Sequence, residues 1–96
     1  MKPSIVLDLN RTAVRDAAAR FRSSNIRVFG SARHGTDTEG SDLDLLVDPL
    51  PGATLFDLGG LQNELEDMLG VRVDLLTPDD LPKAFRQNVL RDALPV

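Results

Sequence analysis

The run Asp42-Leu-Asp44-Leu-Leu-Val47 constrains this chain most. It has strand composition, and residues two apart in a strand share a face. Leu43, Leu45 and Val47 therefore fall on one face, and Asp42, Asp44 and Leu46 on the other. Apolar side chains on both faces at its far end predict a central strand, covered on both sides. The two acids then project side by side, with Cα atoms roughly 6–7 Å apart at about 3.3 Å per residue. Carboxylates about 5 Å apart in an effective dielectric of about 20 repel by roughly 3 kcal/mol. A strand that needed only to be soluble gains nothing from this; a cation would remove the penalty.

The rest of the chain alternates around that strand. Leu9, Val14, Ala17, Ala18 and Phe21 lie near helical spacing, with arginines opposite, and predict a helix over residues 9–23. Ser23-Ser24-Asn25 reads as its stop, and Ile26, Val28 and Phe29 as a short strand ending at Gly30-Ser31. Residues 32–41 are polar and glycine-bearing, predicting loop with at most a turn or two of helix. After Asp48-Pro-Leu-Pro-Gly, a Thr54–Asp57 capping box opens a helix over 55–69, with Leu55, Leu58, Leu61, Leu65, Met68 and Leu69 as its buried stripe. Gly59-Gly60 predicts a late start for it, and Gly70 a left-handed cap. Residues 71–76 read as a third strand, and Thr77-Pro-Asp-Asp80 opens a last helical segment reaching about Asp92.

This order predicts a single α/β (α+β) domain over residues 1–96, with a small mixed β-sheet, helices on one face and the acids on the other. The chain has four Phe, no Trp, no Tyr and no Cys, so the core is aliphatic and disulfides and thiolate metal sites are excluded. A net charge of −4 argues against a phosphate-backbone surface and suits a metal site, a small molecule or a basic protein partner. No stretch reaches the roughly 18 apolar residues of a membrane span, and no signal pattern opens the chain. A cytoplasmic protein with no membrane contact is expected. Whether it acts alone or as a homo-oligomer is open.

Asp74 is a third acid, placed among Val71, Val73, Leu75 and Leu76. A lone buried carboxylate is costly, so it should have a partner. Arg72 or Arg27 would make it a plain salt bridge. If its strand lies beside Asp42–Val47, it instead completes a cluster with Asp42 and Asp44, hard oxygen ligands suited to magnesium. Gly30 lets backbone approach a ligand closely, and Ser31 offers a hydroxyl and an N–H to phosphate. Ser41 either caps the turn before the acids or touches a ligand. Asp48 reads as a strand-end acid, Asp37 and Glu39 as loop acids, and His34 as a solvated loop residue.

Gly30-Ser31, ten intervening residues, Asp42-Leu-Asp44-Leu-Leu-Val and a later strand Asp resemble the minimal nucleotidyltransferases of the DNA polymerase β-like superfamily. The resemblance covers nearly the whole chain. It implies the polymerase β-like fold, with Gly30 and Ser31 at the triphosphate, Asp42 and Asp44 on magnesium, and Asp74 supporting metals and activating the acceptor. Two magnesium ions and ATP are implied. Chains this short resemble the antitoxin of a toxin–antitoxin pair whose partner is a HEPN-domain ribonuclease. The implied reaction attaches AMP to a tyrosine of that toxin. The rival reading is an antitoxin that works by occlusion alone. Direct nucleic-acid binding is not expected. One departure stands out. The family commonly reads Gly-Ser-x-Ala-Arg-Gly, whereas Arg33 here is one place early and His34 takes the usual Arg position.

Overall fold

The computed structural model describes residues 1–96. Two helices, α1 (Pro3–Leu9) and α2 (Arg11–Arg20), replace the one expected over 9–23. The break is Asn10, whose backbone leaves helical geometry while its side-chain amide donates to the Val6 carbonyl at 2.8 Å. β1 then runs Ser23–Phe29. Ser23-Ser24-Asn25 is thus strand, not stop. The chain enters it through left-handed backbone at Arg22, and a register shift between Ser24 and Arg27 absorbs a second such residue at Asn25.

A short helix, α3 (Gly30–His34), follows directly, and β2 (Leu43–Pro49) carries the acidic run. α4 (Leu55–Leu69) starts where its capping box predicts, with Thr54 N donating to Asp57 Oδ2 at 2.9 Å. Its glycines do not delay it. A Cβ on Gly60 would lie 2.6 Å from the Phe21 ring, so this glycine lets α4 close on the end of α2. The buried stripe begins later than expected, because Leu55 is 85% and Phe56 91% exposed.

β3 (Val73–Leu76) is shorter than predicted. The last helical segment is split into a 3-10 turn at Pro78–Asp80 and α5 (Lys83–Asp92). Pro82 causes the split, since the residue before a proline is driven to extended backbone, and Leu81 is extended. β4 (Leu94–Pro95) closes the chain, with its proline on the sheet edge.

The sheet order is β3-β2-β1-β4. β2 pairs parallel with β3 and antiparallel with β1, and β4 pairs antiparallel with β1. This is the mixed sheet with the acidic strand in its interior. Leu43, Leu45 and Val47 meet Val14, Ala17 and Ala18 of α2 and Leu61, Leu65 and Leu69 of α4 in one aliphatic core. Leu46 faces the other way and is also fully buried. No helix is long and apolar enough to cross a membrane.

Candidate active site

Alternation along β2 sends Asp44 away from the core, and pairing places its neighbours. Asp44 stands opposite Phe29 of β1 on one side and in register with Asp74 of β3 on the other. Adjacent strands lie about 4.8 Å apart, so Asp44 and Asp74 emerge side by side on the open face. Asp42 lies two positions ahead of Asp44, just before β2 begins. Asp74 is exposed on an edge strand, so it never needs the structural partner that a buried acid would require.

The two arginines proposed for that pairing are engaged elsewhere. Arg72 Nε reaches Asp42 Oδ1 at 3.0 Å. Arg27 Nη2 donates to Asp48 Oδ1 at 2.8 Å, and Asn25 Nδ2 donates to Asp48 Oδ2 at 2.9 Å. Asp48 therefore pins the bulged start of β1 to the end of β2.

Charge accumulates at Asp44. Burial raises its pKa above the ordinary 3.8, and repulsion from Asp74 and then Asp42 pushes the same way. Gly30 fits against this carboxylate: its φ is +70°, and a Cβ there would overlap the Asp44 side chain. Both conformation and space demand glycine. Ser31 accepts the Thr36 N–H on its carbonyl at 3.0 Å, and its hydroxyl has no protein partner. Ser41 Oγ accepts the Thr38 N–H at 2.9 Å, which makes it a cap of the turn leading to Asp42.

No three acidic or histidine side chains stand close enough to form a ready ligand set. Asp42 is paired with Arg72. Both partners are exposed, and such a pair contributes at most about 1 kcal/mol, so a cation competes for Asp42 at small cost. The available donors are all hard oxygens around a carboxylate with surplus negative charge. They fit magnesium.

Arg33 and His34 both turn to the end of α5. Arg33 Nε donates to the Asp92 carbonyl at 2.7 Å, and His34 Nε2 lies 2.6 Å from Asp92 Oδ2. His34 is thus tethered rather than free in a loop. The sequence held a signal for this: an acid in a last helical turn opposes the helix dipole unless a cation meets it. Asp37 is also no plain loop acid. It is buried, and its Oδ2 accepts the Ser4 N–H at 2.8 Å, tying the loop before β2 to the start of α1.

Residues 11–96 match the model of the nucleotidyltransferase domain family. The chain is similar to the protein adenylyltransferase MntA of Thermococcus cleftensis, 39% identical over 75 residues that cover 78% of this chain and 76% of that protein. A solved structure described as a minimal nucleotidyltransferase superposes with a TM-score of 0.87 at 43% identity, covering 97% of this chain and 95% of the other. A chain of a solved toxin–antitoxin complex with AMP-PNP shares the fold, with a TM-score of 0.75 at 22% identity over 90% of this chain and 71% of its own. The family match runs from α2 to the last residue and takes in every strand and all three acids, so the chain belongs to the nucleotidyltransferase domain family of enzymes.

Proposed function

We propose that this protein moves AMP from ATP to a protein hydroxyl, with magnesium, and that the acceptor is a tyrosine of a cognate HEPN ribonuclease toxin which it thereby silences. The observation that carries this reading is the register of Asp44 against Asp74, beside the one residue type that can abut Asp44. Similarity to MntA, named a protein adenylyltransferase, supports a protein acceptor. The fold shared with a chain of a toxin–antitoxin complex supports a toxin partner.

Asp42, Asp44 and Asp74 would hold the magnesium ions. When bound, magnesium offsets triphosphate charge and eases deprotonation of the attacking hydroxyl. Gly30 leaves room over Asp44, and the Ser31 hydroxyl and N–H bind phosphate oxygens. Ser41 fixes the turn that delivers Asp42. The acceptor oxygen bonds to the α-phosphorus while the bond from that phosphorus to the bridging oxygen breaks. Diphosphate leaves with the electron pair. Asp74, exposed beside Asp44, takes the hydroxyl proton.

The test is incubation with α-labelled ATP, magnesium and the protein encoded next to this chain. Label should appear on a tyrosine of that partner and be lost in Asp42→Ala/Asp44→Ala. Equal labelling by wild type and the double variant would sink the mechanism. Neutralisation of the partner without ATP, undiminished in the double variant, would establish occlusion instead.

A further inference from the structure

Beside the acids, the end of β1, α3 and the last turns of α5 border an open hollow of about 330 Å³. Phe29 and Val89 supply its apolar surface, Asn88 and Asp92 its polar edge, and Gly30 belongs both to it and to the acid site. We propose that this hollow receives the nucleobase of the triphosphate and that Asn88 hydrogen-bonds the base edge. The proposal rests on the nucleotidyl-transfer reading and adds to it the place and the reader of the base.

Continuity is the first argument. With the α-phosphate at Asp44, the base hangs one ribose away, and Gly30 is the shared boundary between the carboxylate and the hollow. Surface chemistry is the second. A base is a flat ring with polar rims, and apolar or aromatic side chains bind its faces without regard to sequence.

The third argument concerns α5 itself. None of its residues is buried, so the core does not set its position. Its C-terminal end is instead clasped to α3 by Arg33 and His34 through Asp92. That clasp fixes the wall carrying Asn88 and Val89 relative to the Gly30-Ser31 turn. Asn88 is also suitably unpaired. Its oxygen accepts from Arg91 Nη2 at 2.8 Å, which leaves the amide NH2 to donate to a ring nitrogen or carbonyl of a base.

Calorimetric titration of the folded chain with magnesium–ATP and, separately, magnesium–tripolyphosphate tests this. Val89→Trp should weaken ATP binding by about tenfold or more, because its indole occupies the space the base would take, and Asn88→Ala by a few-fold, the scale of a lost hydrogen bond to the base edge. Tripolyphosphate affinity should stay within about twofold of wild type, as expected for a ligand with no base. Asn88 is exposed, so its variant is informative even if Val89→Trp disturbs folding. Unchanged ATP affinity in both variants, or a parallel loss for ATP and tripolyphosphate, would overturn the proposal. If Val89→Trp leaves ATP binding intact but raises the KM for the acceptor protein, the hollow holds the acceptor and the proposal also fails. Binding of neither ligand by wild type would take down the transfer reading beneath it.

Discussion

The carboxyl of Asp44 is held above its ordinary range by burial and by two acidic neighbours, so its ionisation opposes folding. This penalty is absent well below pH 3.8, and it is complete once pH has risen past the folded pKa. Asp44→Asn should therefore raise the thermal midpoint of the ligand-free protein at pH 7 and abolish AMP transfer. Water reaches this half-buried group, so the gain should stay under about 1 kcal/mol. Calorimetry from pH 7 to 4 should show the gap to wild type closing as pH falls. Asp37 has the opposite sign. Burial raises its pKa, but hydrogen bonds from Ser4 and the charge of Lys2 outweigh that and leave it below 3.8. Its stabilisation is present above pH 3.8 and is lost as pH falls through the folded value. Asp37→Ala should cost about 1–2 kcal/mol at pH 7, the scale of a charge-assisted hydrogen bond, with a flatter acid-unfolding profile. The two acids differ in how visible they are. Asp44 declares itself through alternation with Asp42, whereas Asp37 is defined by an amide thirty-three residues away, and nothing near it announces that contact.

Within α4, two adjacent glycines make opposite demands. Gly59 has open space where a Cβ would project, so Gly59→Ala should stabilise by about 0.5–1 kcal/mol through helix propensity. Gly60 lies under the Phe21 ring, and Gly60→Ala should lose that gain and fall below wild type by about 1–3 kcal/mol from overpacking. Urea midpoints of the two variants decide the matter. Leu55→Gln and Phe56→Gln should stay within about 0.5 kcal/mol of wild type, since both side chains are already in water. These elements show where sequence stops informing. β2, α3 and α4 are legible because alternation, a Gly-Ser turn and a capping box are local codes. α1 is not: Ile5-Val-Leu7 has no clear period, and its first turn is held by Asp37 from another part of the chain. β4 has two residues and exists only as a partner to β1. Asp44 reads correctly as a strand acid with Asp74 beside it, whereas Asp42 falls just ahead of β2. The Arg33, His34 and Asp92 clasp joins residues 58 or more positions apart, and its one sequence signal, an acid in the last turn of α5, does not name its partners.

At the scale of the whole molecule, charge decides what can bind. The chain carries −4, and three of its carboxylates lie near the proposed phosphate seat. Triphosphate is itself strongly anionic, so free ATP meets like charge, and a divalent cation must arrive with it. Only the magnesium complex should therefore stabilise the fold. A ligand at 100 times its Kd adds about 2.7 kcal/mol, and in a domain of this size each kcal/mol moves the midpoint by about 4–8 °C. Magnesium–ATP at that excess should raise the midpoint by about 10 °C or more. ATP with EDTA should leave it unchanged, and adding magnesium back should restore the shift. In Asp44→Asn and Asp74→Asn the shift should collapse while the ligand-free proteins remain folded. A full shift with ATP in EDTA would mean that the triphosphate is held by cationic side chains and not through the acids. Arg33, the arginine nearest the Gly30-Ser31 turn in sequence, would then be the first residue to replace. Its hydrogen bond to the Asp92 carbonyl would have to open for it to serve.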